Sequence, residues 1–181
     1  MRNLLLTLVA VAFCLASPGH CQASLDPASE AFFQRIRQMD GRTLTGTTAH
    51  PTDPDHDMVG KTLTLQVKVV SVDEVQIPFA VGEDKSRTWI LKRTPQGLLF
   101  KHDHRLPDGS PDPVTNYGGL AIPGLMSGVQ LFPADAETAR LLPEAVSNVW
   151  CLQLSPDGRT LVYSLERHQQ PRYEARFELA E

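Results

Sequence analysis

The chain has 181 residues, room for one domain with a real core but not for two comfortable ones. Its 21 acidic residues exceed the 17 basic ones and set a net charge of −4. No basic run interrupts that balance, which argues against nucleic acid or an anionic membrane as a partner.

The first stretch in chain order is "MRNLLLTLVAVAFCLASPGHCQAS". Arg2 precedes an apolar run from Leu4 to Ala16, which gives way to Pro18, Gly19 and small residues. A basic start, a short apolar run and a small-residue exit read as a secretory signal peptide. The run falls short of the roughly 20 residues that a spanning helix needs, and no second apolar segment of spanning length follows. The expected organisation is therefore a signal peptide over residues 1–23 and one β-barrel domain over 24–181, periplasmic or secreted after cleavage. Cleavage after Ala23 competes with cleavage after Ala16. His20 stands before Cys21, where lipid modification needs a small residue, so a lipoprotein reading fails. The cut after Ala23 leaves 158 of the 181 residues, a net charge of −5 through loss of Arg2, and Cys151 as the remaining cysteine. One cysteine forms no internal disulfide, so the fold must stand on its core. The cut after Ala16 keeps Cys21 and leaves a Cys21–Cys151 bridge open.

"DPASEAFFQRIRQMDG" is the clearest helix. Asp26 suits the cap, Pro27 the first helical position and Gly41 the exit. Phe32, Ile36 and Met39, with Phe33 beside them, form one apolar stripe. After it the period becomes two. Leu63, Leu65, Val67 and Val69 share one face, as do Val75, Ile77, Phe79 and Val81, and later Tyr173, Ala175, Phe177 and Leu179. These are half-buried antiparallel strands. About ten are expected, near 44–50, 61–71, 75–82, 87–93, 98–106, 114–122, 127–133, 147–154, 160–167 and 172–179. "TPQG" and "SPDG" place Pro second and Gly fourth, as type I turns favour, and join adjacent antiparallel neighbours. "FPADAETARLLP" reads as a short surface helix stopped by Pro143. The fold class predicted is all-β and mainly antiparallel, a calycin-like up-and-down β-barrel of about 8–10 strands with the N-terminal helix over one mouth. A two-sheet sandwich is the alternative.

In "LLFKHDHRL" side chains alternate across the sheet. Leu98, Phe100, His102, His104 and Leu106 share one face; Lys101, Asp103 and Arg105 mark the other as the wet side. Both histidines are thus predicted to face the interior. A four-residue "TPQG" loop pairs Arg93 with Leu98, Leu91 with Phe100, Trp89 with His102 and Arg87 with His104. A three-residue loop would shift the register and turn Trp89 outward, so burial of Trp89 favours the first pairing. In "TLTGTTAH", His50 shares a face with Leu44, Gly46 and Thr48 and is also expected to look inward.

His102 and His104, at i and i+2 on one strand face, suit a metal site if His50, His56 or Asp108 supplies a third ligand. The plainer reading is a pair of hydrogen-bonded histidines near a strand end. Cupin barrels carry such a pair but add a spaced Glu and a later His, and "PGLMSGVQLFP" holds no histidine. Asp53, Asp55 and Asp57 match the first ligands of a calcium loop, yet Met58 and Thr64 replace its Gly and Glu; "DGSPD" fails likewise at Pro113. "GLMSG" is no nucleophile elbow, because Ser127 stands fourth, and Cys151 falls on the outer face with Gln153. Nothing assembles a catalytic residue, so a non-enzymatic role is favoured and no cofactor is named. A binding barrel fits better. Trp89, Phe100, Tyr117, Trp150, Tyr163 and Phe177 are the expected inner aromatics, with His102, His104 and Arg167 as polar handles. A filled aromatic core would show the same pattern.

Together "FKHDHRLPDGSPDPVTNYGG", "FPADAETARLLP" and "NVWCLQL" resemble a family of short exported bacterial proteins with no assigned activity. The likeness spans most of the chain after the signal segment and carries no catalytic residue over. The helix followed by "DGRTLTGT" is also similar to the entry into lipocalin-type barrels. There a Gly-x-Trp marks the first strand; here Thr47 and Thr48 follow Gly46, so the resemblance implies architecture and no ligand. The expected function is binding of a small ligand within the barrel. A metal site on His102 and His104, open to a catalytic role, is the alternative, and an envelope protein whose "LPDGSPDP" loop meets a partner is a third.

Overall fold

The structure, a computed structural model, describes residues 25–180 except 52 and 55. The segment expected to be a signal peptide, with Cys21, and Asp55 of the acidic loop lie outside the described residues. Asp26 caps helix α1 (Pro27–Arg37), its carboxylate accepting from the Ala28 and Ser29 N–H groups at 3.1 and 3.3 Å. Pro27 fills the first turn, where its missing N–H costs nothing. The stripe predicted on this helix is buried: Phe32, Phe33 and Ile36 are closed off from solvent. Each such side chain contributes about 1.5–3 kcal/mol on leaving water.

The strands follow as a meander: β1 (Thr43–Pro51), β2 (Leu63–Gln66), β3 (Lys68–Val69), β4 (Glu74–Val81), β5 (Asp84–Thr94), β6 (Gly97–His104), β7 (Tyr117–Leu120), β8 (Val129–Pro133), β9 (Asn148–Leu154), β10 (Thr160–Arg167) and β11 (Gln170–Leu179). Helix α2 (Ala136–Leu141) and a 3-10 turn, Pro143–Ala145, lie between β8 and β9. Ten strands pair in the order β7-β6-β5-β4-β2-β1-β11-β10-β9-β8, all antiparallel, with β3 beside β4. Pairing of the first strand with the last bends the meander into a barrel. The remaining seam is bridged by two backbone bonds, Ile122 N–H to Leu131 O and Asp135 N–H to Gly118 O, both 2.9 Å. The barrel is thus nearly closed, and the sandwich is ruled out. No helix among the described residues is long and apolar enough to cross a membrane.

Alternation fixes what faces inward. Val75, Ile77, Phe79 and Val81 of β4 are buried on one face, as are Tyr173, Ala175 and Phe177 of β11. The β5–β6 register is the one expected from a four-residue turn, with Trp89 opposite His102 and Arg87 opposite His104. The strand expected over 61–71 divides at Val67, whose N–H and C=O bond Arg42 and Gly41 at the helix exit.

Two expectations fail. His50 does not look inward, because the β1–β11 register slips between Thr48 and His50: Thr48 pairs with Ala175, but His50 pairs with the outward-facing Glu174. One bulge residue reverses every side chain beyond it, and His50 is exposed. Nor is the outer face of β6 wet. Lys101 and Asp103 are each 8% exposed, since the chain after β8 folds back over Lys101 and the connection after β6 supplies Arg105 and Thr115 to Asp103. Lys101 Nζ meets Asp135 at 2.7 Å and Glu137 at 3.0 Å, and Asp103 takes a forked pair of bonds from Arg105.

Helix α1 closes one end. Arg37 donates to the carbonyls of Ser71 and Val72 at 2.8 and 2.6 Å, Arg35 to those of Ser155 and Pro156, and Glu30 holds Arg93 at 2.7 Å. These partners belong to hairpin turns or strand ends, so one helix ties several hairpins together.

Candidate functional site

The opposite end holds a cavity of about 290 Å³. Its floor is aromatic. Tyr163 stacks on Trp89 with ring centroids 4.7 Å apart and planes at 22°, and Tyr117 stacks on His102 at 4.6 Å and 13°. Trp150 packs 5.2 Å from His102 and 5.8 Å from Tyr117. Phe79 and Tyr173 complete the walls from β4 and β11. Trp89 and Trp150 are almost wholly buried, whereas Tyr163 retains accessible surface because the cavity reaches down to it.

Of the ligand residues expected from sequence, Trp89, His102, His104, Tyr117, Trp150, Tyr163 and Arg167 line this space. Phe100 and Phe177 do not. Phe100 lies one layer deeper, its ring 4.6 Å from His102 and 5.9 Å from Trp89, and Phe177 packs edge-on to Trp89 at 6.0 Å. Alternation specifies a face but not a depth. Sequence reasoning missed Met58, Asp112, Leu142 and Ala145, which connections bring to the mouth. Leu165 and Tyr173 carried a usable signal, since both lie on inward faces of alternating strands.

The polar atoms on the floor satisfy one another. His102 Nδ1 is 3.1 Å from the Tyr117 carbonyl. A carbonyl only accepts, so the proton sits on Nδ1 and Nε2 is bare. Nε2 accepts from the Tyr163 hydroxyl at 3.2 Å. Burial drives the His102 imidazole down to about 3, with the neighbouring His104 and Lys101 acting the same way and the Tyr117 carbonyl opposing them. His102 is therefore a neutral, fully occupied hydrogen-bond node. Nearer the mouth, the Tyr117 hydroxyl and His104 Nε2 are 3.0 Å apart. Burial, then Arg87, holds His104 below its ordinary value, and burial pushes Tyr117 up to about 12.

Charge gathers at the rim. Arg87 is paired with Asp57 at 3.1 Å and with Asp84. Arg167 donates through Nε to Asn148 Oδ1 at 2.8 Å. Asp112 Oδ1 accepts from the Val114 N–H at 2.7 Å.

The possible third metal ligands do not converge on the pair. His50 is exposed and away from the cavity, and Asp108 spends its carboxylate on Ser110 within its own turn. His56 lines the mouth, but its Nδ1 accepts from the Met58 N–H at 3.3 Å. Among the described residues no three His, Cys, Asp or Glu side chains gather in a ligating group. Cys151 is half-buried on the outer face, its thiol pushed up by burial. No protein-family model matches the chain, and a search of curated proteins finds no match. The architecture is loosely consistent with a calycin-type barrel.

Proposed function

We propose that this is an exported binding protein, periplasmic or secreted, that holds one small, flat, mainly apolar molecule in the open end of its barrel without transforming it. The carrying observation is the cavity whose floor is built of aromatic faces and whose buried polar groups are already bonded to each other. Such a floor offers stacking area but no free nucleophile, acid or base. Its 290 Å³ volume stands at the low edge of about 300–1,000 Å³ for ligand pockets, which suits a guest of one or two fused rings.

Leu165 lines the cavity and pairs across the sheet with Trp150, so Leu165→Trp fills the space from the wall. In calorimetric titration, naphthalene-2-carboxamide, a neutral two-ring probe, is expected to bind the native protein and to lose at least about tenfold in affinity to the filled variant. The chain's two tryptophans, Trp89 and Trp150, both line the space, so occupancy also changes intrinsic fluorescence. Unaltered binding by a folded Leu165→Trp protein overturns the reading.

A further inference from the structure

The charges at the mouth are not equivalent, and the difference bears on the guest. On the β5–β6 wall the Arg87 guanidinium is already matched by two carboxylates, Asp57 and Asp84. Asp112, in the connection after β6, lies against the same wall, its N–H bonded to the His104 carbonyl at 3.0 Å. The fields of Arg87 and Asp112 oppose each other at His104 and Tyr117. That wall therefore presents little net positive charge to a guest.

Arg167 stands elsewhere, at the end of β10, with β7, β8 and β9 between it and β6 in the barrel order. Its Nε is bonded to the side chain of Asn148, which is 4% exposed and fixed at the start of β9. No carboxylate of the described residues lies within ion-pair distance of it. The guanidinium is thus oriented through one nitrogen while its charge is left unmatched at the edge of an aromatic cavity. Guanidinium groups take carboxylates in a planar, two-bond geometry, and a group already held in place loses little freedom in doing so.

Resting on the cavity reading, we infer that the guest is a planar aromatic acid with a single negative charge, its rings against the aromatic lining of the cavity where Tyr163 keeps accessible surface and its acid group on Arg167. Asp112, Asp57 and Asp84 around the same mouth oppose a second negative charge.

Three two-ring probes of nearly one shape test this by calorimetry: naphthalene-2-carboxylate, its neutral carboxamide and the cationic 2-naphthylmethylamine. The native protein is expected to bind the carboxylate at least about tenfold more tightly than either other probe. Arg167→Gln should bring the carboxylate down to the level of the carboxamide, and naphthalene-2,6-dicarboxylate should bind more weakly than the monoacid. The ranking on native protein stands even if Arg167→Gln does not fold. Carboxamide binding as tight as the carboxylate, preference for the amine, tighter binding of the dicarboxylate, or a preference that survives Arg167→Gln each overturns the acid reading and leaves the cavity reading standing. If no probe of any charge binds, both readings fall together.

Discussion

His102 shows how much one buried side chain can carry. Its two nitrogens have different partners, a carbonyl that only accepts and a hydroxyl that donates, so the neutral Nδ1–H form is the one that fits. The unfolded chain binds a proton near 6.5, whereas the folded protein resists one until about 3. Between those values the unfolded state holds more protons, so this histidine's contribution is complete above about 6.5 and is lost as pH falls towards 3. Urea unfolding at pH 7 and pH 4.5 should show the native protein losing about 2 kcal/mol more than His102→Gln across that interval. Equal losses in the two proteins would show that His102 takes a proton in the folded state as readily as in the unfolded one. That the histidines face inward was legible in the alternation of "LLFKHDHRL". That His102 is spent as a hydrogen-bond node was not, because Tyr163 approaches it from a strand 61 residues away.

At the scale of elements, barrel closure turns on small residues, and the face that β1 presents turns on its register slip. Gly119 of β7 lies against the end of β8, where an added Cβ would fall inside the van der Waals envelope of the Pro133 carbonyl and close to the Asp135 nitrogen. Neither contact is the end of a flexible side chain, so relief requires the seam itself to open. Gly119→Ala is expected to cost about 3 kcal/mol in chemical unfolding and to speed amide exchange at Ile122 and Asp135, the two seam donors. A destabilisation below about 0.5 kcal/mol would mean that the seam adds little to the barrel. The strands themselves were readable from sequence, since period two and proline-glycine turns are local signals. The bulge between Thr48 and His50 was not, because it answers to the register of β11, more than 100 residues later. The metal expectation for His50 depended on an unbroken alternation that this bulge interrupts.

The whole molecule divides its labour between two ends. At one end α1 buries Phe32, Phe33 and Ile36 and ties the hairpin turns together; at the other, aromatic faces are left around open space. Stability and binding should therefore separate. Phe32→Ala removes a fully buried ring at the plugged end and is expected to cost about 3–5 kcal/mol of stability, while a protein that remains folded keeps its affinity for naphthalene-2-carboxamide. Leu165→Trp, at the open end, should do the reverse. A parallel loss of affinity in folded Phe32→Ala would show that the plug and the cavity are coupled.

The sequence by itself determined the fold class, most of the strand faces, the β5–β6 register and most of the cavity's aromatic residues. Each follows from local periodicity or turn chemistry, and those act over a few residues. Only the tertiary structure decided that the aromatic faces leave a void at one end and pack solidly at the other, that Phe100 and Phe177 lie beneath the cavity, and that Lys101 and Asp103 are covered. Depth along a barrel, the bulge in β1 and the seating of connections are set by strands distant in sequence. No spacing within "FKHDHRLPDGSPDP" records where Tyr163 and Arg167 will stand.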